Sequence, residues 1–218
     1  MITVSGLKKT FEEGSGIRYS DLTFETGKTY VMLGASGCGK STYLNMISGV
    51  ITPSEGSVVI DGRDMTVLTQ KEKDAFRVSN IGYIFQDFRL LEEMSVQDNI
   101  DILKLEGVDV SGTDKILDAL GILPLKRKKA ARLSGGEKQR VAIARAIVKN
   151  PEIILADEPT GNLNYEIGRR VMEQLIETSK GKTLICVTHD DRLSTLFDCV
   201  LDMNAIACSF EKEAAANA

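Results

Sequence analysis

Gly34-Ala35-Ser36-Gly37-Cys38-Gly39-Lys40-Ser41 is the stretch of this sequence that decides the fold. The apolar run 30–33 before it is typical of a strand, and residues 42–47 after it have the pattern of a helix. Glycines let consecutive backbone N–H groups point inward at an anion, and the positive end of the helix dipole adds to the attraction. An ordinary glycine-rich turn is the alternative, which these flanks disfavour. The stretch therefore predicts a loop that binds the phosphates of a nucleoside triphosphate.

Two side chains of the loop have predicted roles. Lys40 is expected to bridge the β- and γ-phosphates, and the Ser41 hydroxyl to be a ligand of Mg²⁺. Cys38 lies beside a helix N-terminus, where thiolates are stabilised, but a permissive position for a small side chain explains it better than a redox role. The nucleotide-binding residues predicted here are Gly34, Ala35, Ser36, Gly37, Cys38, Gly39, Lys40, Ser41 and Thr42.

Composition narrows the class of protein. The 218 residues carry a formal net charge of −4, which gives no support to nucleic acid as the main partner. No apolar stretch approaches the ~18 residues that a membrane-spanning helix needs, so we expect any membrane role to come through a partner. The four cysteines form no C-x-x-C pair and suit a reducing cytoplasm.

Strand-like and helical patterns alternate along the chain, which predicts an α/β fold with a parallel sheet covered on both faces. The exceptions are residues 87–150, which read as an inserted helical subdomain, and the first thirty residues, which read as a small antiparallel sheet. We predict one domain over residues 1–210 and a frayed tail over 211–218. The predicted strands are 29–34, 57–61, 81–86, 153–157, 183–189 and 199–203, and the predicted helices are 40–49, 70–78, 114–121, 137–149, 166–179 and 191–197.

The run Ile153-Ile154-Leu155-Ala156-Asp157-Glu158 ends a predicted buried strand in two carboxylates. The carboxyl ends of parallel strands are where α/β sheets place ligands. We therefore predict that Asp157 holds Mg²⁺ and that Glu158 polarises the attacking water. The alternative is that the strand ends in acidic residues because it reaches solvent there.

The stretch Leu133-Ser134-Gly135-Gly136-Glu137-Lys138-Gln139-Arg140 opens a predicted helix and has two interpretations. Ser134 with Glu137 three residues later forms a capping box, which is a structural device. The two glycines also expose several N–H groups at a positive helix end, which would make a second anion site. Such a site is useful if it serves the nucleotide held by another copy of the chain.

Together the phosphate loop, residues 133–139 and Asp157-Glu158-Pro159-Thr160 resemble the ATP-binding-cassette (ABC) ATPases over roughly residues 1–208. The resemblance implies a P-loop NTPase core and head-to-tail homodimers. In these dimers, the segment Ser134, Gly135, Gly136 and Glu137 of one protomer closes over ATP held by the other's loop. The resemblance further implies that Gln86 senses Mg²⁺ and contacts a membrane partner, and that His189 contacts the γ-phosphate. Phe11 occupies the place of the adenine-stacking aromatic residue, with a core phenylalanine as the alternative.

The resemblance also implies a mechanism, with Glu158, His189 and Lys40 as the catalytic residues and ATP and Mg²⁺ as cofactors. Residues 157–163 and 82–86 are similar to the lipoprotein-releasing, macrolide- and peptide-exporting and cell-division ATPases. This group works by mechanotransmission to an integral membrane permease, which would hold the chain on the cytoplasmic face of the membrane. One residue departs from the family pattern: Asn164 stands where an aspartate linking the two sites is usual. Either Asn164 weakens that link, or it merely caps the next helix.

Three other functions use ATPases with related motifs. Soluble ABC proteins of DNA repair carry long coiled coils, but heptads are absent between Gln86 and Ser134. Translation-factor ATPases have two cassettes in one chain, and this chain has one. A division regulator that gates a periplasmic hydrolase through its membrane partner stays open, because its ATPase has the same motifs.

Overall fold

The computed structural model describes residues 1–11 and 14–210, which form two sheets and the helices around them. The strands are β1 Ile2–Thr10, β2 Gly16–Tyr19, β3 Leu22–Phe24, β4 Thr29–Leu33, β5 Glu55–Ile60, β6 Arg63–Asp64, β7 Ile81–Ile84, β8 Ile153–Asp157, β9 Thr183–Thr188, β10 Cys199–Asp202 and β11 Ala207–Phe210. The α-helices are α1 Lys40–Ile47, α2 Gln70–Asn80, α3 Val96–Asp101, α4 Thr113–Ala119, α5 Gly135–Ile147, α6 Tyr165–Thr178 and α7 Met203–Ile206. Short 3₁₀ helices cover Ile102–Glu106, Leu123–Leu125, Ala130–Arg132 and Asp191–Leu196.

A five-stranded parallel sheet forms the centre of the fold, in the order β10-β4-β9-β8-β7. Successive side chains of a strand point to opposite faces, and both faces of the inner strands β4, β8 and β9 are largely buried. In β9, Leu184 and Cys186 join the core that packs on α5 and α6, whereas Ile185 and Val187 join the core that packs on α1. The apolar runs of the sequence follow from this double burial, and the α/β fold class is confirmed.

The second sheet is antiparallel, with β11, β2, β1, β5 and β6 in that order and β3 paired to β1. The buried face of this antiparallel sheet shares one hydrophobic core with α1 and with one face of the parallel sheet. The predicted strand 57–61 belongs here as β5, paired antiparallel to β1, and not to the parallel sheet. The last strand β11 pairs with β2, which the sequence patterns did not indicate. This sheet is therefore built from both ends of the chain.

The chain between β7 and β8 is helical in the described structure, with α3, α4, α5 and three 3₁₀ helices. Helix α5 packs on α6 and on β7, and its buried residues belong to the same core as the parallel sheet. The subdomain boundaries 87–150 therefore stay a prediction, because α5 is shared between the two parts. The predicted helix 191–197 is a 3₁₀ helix in the structure, and α3 was not predicted.

Helix starts follow the capping residues of the sequence. Thr69, Ser95 and Ser134 each close a capping box at the start of α2, α3 and α5. Asn164 caps α6 by accepting a hydrogen bond from the Ile167 N–H at 3.0 Å. None of the helices described is both long enough and apolar enough to cross a membrane. The predicted frayed tail lies outside the described residues.

Candidate active site

The phosphate loop connects β4 to α1 at the carboxyl edge of the parallel sheet. Gly39 is the residue before the helix and has a φ of 96°, a conformation that side chains disfavour. A Cβ on Gly34 would lie 2.7 Å from the Cys38 Sγ atom, so the loop closes too tightly for a larger residue there. The loop therefore needs these two glycines, as the sequence motif predicted.

Lys40 is buried inside this loop, with only 6 % of its surface exposed. Its ammonium donates hydrogen bonds to the carbonyl oxygens of Gly34 at 2.7 Å and Ala35 at 2.9 Å. The same nitrogen lies 3.3 Å from the Glu158 Oε1 atom. The lysine is thus held at the floor of the site, where its charge can meet a phosphate.

Ser41 and Asp157 meet across the site, because α1 begins beside the end of β8. The Ser41 hydroxyl donates to the Asp157 Oδ1 atom at 2.9 Å. Burial raises the pKa of Asp157, with the nearby Glu158 charge adding to the rise, while Ser41 and Lys40 oppose it. An ionised carboxylate here is therefore costly without a cation to neutralise it.

Oxygen atoms are the groups available for a metal ion at this position. Ser41 and Asp157 place a hydroxyl and a carboxylate together, and Gln86 lines the same cleft with its amide. Mg²⁺ prefers oxygen ligands and is usually held by one or two protein groups with substrate phosphates. Residues 1–11 and 14–210 contain no cluster of three or more His, Cys, Asp or Glu that could hold a metal alone. The donor set fits magnesium bound jointly with a phosphate.

Glu158 lies at the centre of a set of charged and polar contacts. Its Oε2 atom is 2.9 Å from the His189 Nδ1 atom and accepts from the His189 backbone N–H at 3.3 Å. Its backbone has a φ of 47°, which is strained for a residue with a side chain, and its N–H donates to Val187. Such strain at the end of a strand aims the carboxylate into the cleft.

A cleft of ≈ 570 Å³ joins most of the predicted residues. Phe11, 41 % exposed, lies at its wall, where a base could stack. Gln86 follows β7, and its backbone carbonyl accepts a hydrogen bond from the Asn162 side chain at 2.9 Å. The lining residues are Phe11, Ile17, Ser36, Gly37, Gly39, Lys40, Ser41, Thr42, Gln86, Glu158 and His189.

The segment Ser134–Glu137 is not among the residues that line this cleft. Ser134 accepts from the Glu137 N–H at 3.4 Å, and the Glu137 carboxylate accepts from the Ser134 N–H at 2.7 Å. That second bond also lowers the pKa of Glu137. The capping box is therefore present, and within one chain the second predicted anion site stands apart from the first.

Two residues of β2 contact the site, and the sequence patterns did not predict either of them. Ile17 lines the cleft, and the Tyr19 hydroxyl donates to the Gly39 carbonyl at 2.9 Å. They alternate along the strand and so share a face. The only sequence signal was the alternation of the first thirty residues, which indicates a strand but not what it packs against.

Comparisons with known proteins agree with this geometry. Residues 17–161 match the protein family described as ABC transporter. The lipoprotein-releasing system ATP-binding protein LolD of Syntrophus aciditrophicus (strain SB) is 40% identical, over 89% of this chain and 92% of LolD. The ABC transporter ATP-binding protein YtrE of Bacillus subtilis (strain 168) is 41% identical, over 80% of this chain and 79% of YtrE.

The fold matches a solved cassette over nearly its whole length. A dimeric structure of the ATP-binding cassette MJ0796, in a post-hydrolysis state with ADP and Pi, superposes with a TM-score of 0.79. The identity is 32%, over 93% of this chain and 94% of that one. The phosphate loop, the acidic strand end and these relatives lead to one conclusion: the chain belongs to the ABC transporter family and is an ATP-binding, ATP-hydrolysing cassette of it.

Proposed function

We propose that two copies of this chain close head to tail around ATP and drive an integral membrane partner. The observation that supports this most is the position of Ser134–Glu137, outside the cleft that its own chain provides. The N-terminus of α5, with its two glycines, is suited to bind an anion. It does not line the cleft beside this chain's own phosphate loop, so the anion it binds would belong to another chain. The MJ0796 cassette has dimeric structures, which supports the pairing of two copies.

In the proposed site, the loop and Lys40 hold the triphosphate. The N–H groups of the loop and the Lys40 ammonium neutralise phosphate charge, which is the main requirement of phosphoryl transfer. Mg²⁺, held through Ser41, Asp157 and Gln86, would offset the remaining negative charge when bound. Phe11 stacks on the base, and Ser134 and Gly136 of the second copy cover the γ-phosphate.

Glu158 is proposed to take the proton of the attacking water. The carboxylate is buried, and its two oxygens face Lys40 and His189, which orient it. His189 also has an exposed ring, so it can reach the γ-phosphate once ATP is present. The proton moves to a Glu158 oxygen as the water oxygen bonds to phosphorus and the bond to the ADP oxygen breaks.

The membrane partner is inferred from the relatives. LolD belongs by its name to a lipoprotein-releasing system, and SyfD of Pseudomonas syringae is by its name a probable export ATP-binding/permease protein. We propose the same setting here: a cytoplasmic subunit at the inner face of the membrane, attached through a permease. Dimer closing and opening would change the shape of that partner by mechanotransmission.

Co-purification tests this proposal. A tagged chain with Glu158→Gln, which retains ATP, is extracted in detergent with Mg²⁺ and ATP from the cells that make it. We expect one integral membrane protein to copurify in stoichiometric amount. We expect less of it with Lys40→Ala, because the loss of the ammonium should weaken ATP binding. Recovery of the Glu158→Gln chain without any membrane protein would contradict the proposed partner. A partner with a periplasmic hydrolase attached would instead favour division signalling over transport.

A further inference from the structure

Strand β2 lies directly over the phosphate loop and makes a polar contact with it. The Tyr19 hydroxyl donates to the Gly39 carbonyl oxygen at 2.9 Å, and Tyr19 is only 2% exposed. The same carbonyl accepts the first helical hydrogen bond of α1, from the Tyr43 N–H at 2.9 Å. Gly39 O therefore has two donors, one from its own helix and one from the antiparallel sheet.

The direction of this carbonyl fixes the direction of a loop donor. A trans peptide is planar, so the Gly39 C=O and the Lys40 N–H point in opposite directions. Two donors on the carbonyl hold it along the helix axis, and they thereby hold the Lys40 N–H toward the phosphate side of the loop. Gly39 has a φ of 96° and no Cβ, so local sterics restrain this peptide less than at other residues.

The packing around the contact is close and specific. A Cβ on Gly39 would lie 2.6 Å from the Tyr19 hydroxyl oxygen, so the tyrosine occupies the space that the glycine leaves. The Tyr19 ring packs against the Tyr43 ring, with centroids 4.9 Å apart. Burial raises the pKa of the Tyr19 hydroxyl, so it stays a donor through the neutral range.

From this geometry we propose that Tyr19 is a positioning residue for nucleotide binding, which holds the Lys40 N–H in its phosphate-binding direction through Gly39. This inference rests on the proposed placement of phosphates on the loop N–H groups. The proposal also gives the antiparallel sheet a function. Strand β2 pairs with β1 on one side and with β11 on the other, so the sheet holds Tyr19 in place against the loop.

The test compares two tyrosine-to-phenylalanine changes in the full chain. Tyr19→Phe removes the hydrogen bond to Gly39 and keeps the ring. Tyr43→Phe is the matched control, because the buried Tyr43 hydroxyl has no hydrogen-bond partner among the described residues. The two rings touch each other, so both variants disturb the same packing. Affinity for MgADP and MgATP is measured by calorimetry, with the melting temperature of each nucleotide-free variant.

We expect Tyr19→Phe to weaken the binding of both nucleotides about three- to tenfold, which is the range for losing one neutral hydrogen bond. KM for ATP should rise by a similar factor with kcat little changed, because the Lys40 N–H binds ground state and transition state alike. The amide resonance of Lys40 should shift and exchange faster in Tyr19→Phe only. Tyr43→Phe should bind both nucleotides as the wild type does.

Two results would overturn the inference. One is a Tyr19→Phe chain that melts at a lower temperature but binds MgADP with wild-type affinity, because the tyrosine would then serve stability alone. The other is an equal loss of affinity in Tyr43→Phe, because ring packing would then explain both. A wild-type chain that binds no nucleotide would instead contradict the proposed site, so the two failures are distinguishable.

Discussion

At the scale of single residues, the site brings opposite charges together beside the phosphate loop. The Lys40 Nζ atom lies 3.3 Å from the Glu158 Oε1 atom, and both of these charges act on the neighbouring Asp157 carboxylate. Burial raises the pKa of Asp157, and the nearby Glu158 charge adds to that rise. These side chains are therefore suited to bind a phosphate and a metal cation together, at some cost to the stability of the protein alone.

Glu158→Gln should separate binding from hydrolysis. Glutamine keeps the shape and an acceptor oxygen but cannot take a proton, so we expect hydrolysis to fall about 10²–10⁴-fold. ATP binding should persist, because the loop and Lys40 are unchanged. Steady-state hydrolysis and ATP affinity measure the two effects, with Glu152→Gln, an exposed residue near the start of β8, as the control. Near wild-type turnover in Glu158→Gln would show that another group is the base.

Asp157→Asn should stabilise the nucleotide-free protein. The folded-state pKa of Asp157 is raised, so its ionised form disfavours folding once the pH rises above the unfolded pKa of about 3.9. Asparagine still accepts from Ser41 and carries no charge. The melting temperature of Asp157→Asn should therefore exceed that of the wild type, with a gap that widens from acidic to neutral pH. A gap that is absent at pH 7, or that narrows as pH rises, would contradict the assigned cause.

At the scale of elements, the sequence predicted strands with apolar runs and helices with capping residues. It did not predict elements that form only by pairing with strands far away in the sequence. Strands β4, β8 and β9 were predictable because both faces are buried and their residues are nearly all apolar. Strand β11 was not, because four residues acquire strand structure only by pairing with β2. Helix α3 is a short, capped element whose six residues include two charged ones, so it has little apolar periodicity to detect.

The candidate site divides in the same way. The glycine loop and the acidic strand end were predictable, since each keeps its chemistry in adjacent residues. The contact of Tyr19 with Gly39 was not, because the residues are 20 apart in sequence and meet only through tertiary packing. The pattern of β2 indicates a strand, and only the assembled sheet determines which of its side chains covers the loop.

Ser134→Ala tests the two roles of one helix start. Losing the cap of α5 should cost about 1 kcal/mol of folding free energy. In the proposed dimer, losing a hydroxyl that would face the second copy's ATP should also lower hydrolysis. Ser95→Ala is the matched control, because Ser95 closes the same capping box at α3. We expect similar losses of stability by chemical denaturation, but lower ATPase activity in Ser134→Ala alone. Equal activities at equal folded fraction would leave Ser134 with a cap role only.

At the scale of the whole molecule, one chain builds each cleft, and in the proposed dimer a second chain would close it. The loop and the acidic residues lie on the parallel sheet, whereas Ser134 lies at the start of α5, away from the cleft. If the proposed pair has twofold symmetry, it would form two equal composite sites. Residues between the two sites then influence how one responds to the other.

Asn164→Asp addresses that link. Asn164 caps α6 in the structure, and aspartate caps equally well, so stability should be unchanged. We hypothesise that the restored charge strengthens the coupling between the two sites, which would raise the cooperativity of hydrolysis with ATP concentration. Steady-state rates over a range of ATP concentrations measure this. An unchanged rate and unchanged cooperativity would leave Asn164 with its capping role alone.

The most direct test of the whole account is the mass of the species that hydrolyses ATP. The wild-type chain is diluted at saturating Mg²⁺ and ATP, and mass and hydrolysis rate are recorded on the same samples. We predict that the rate per chain falls as the mass falls from two chains to one. A sample with the mass of a single chain and the full rate would contradict the composite site.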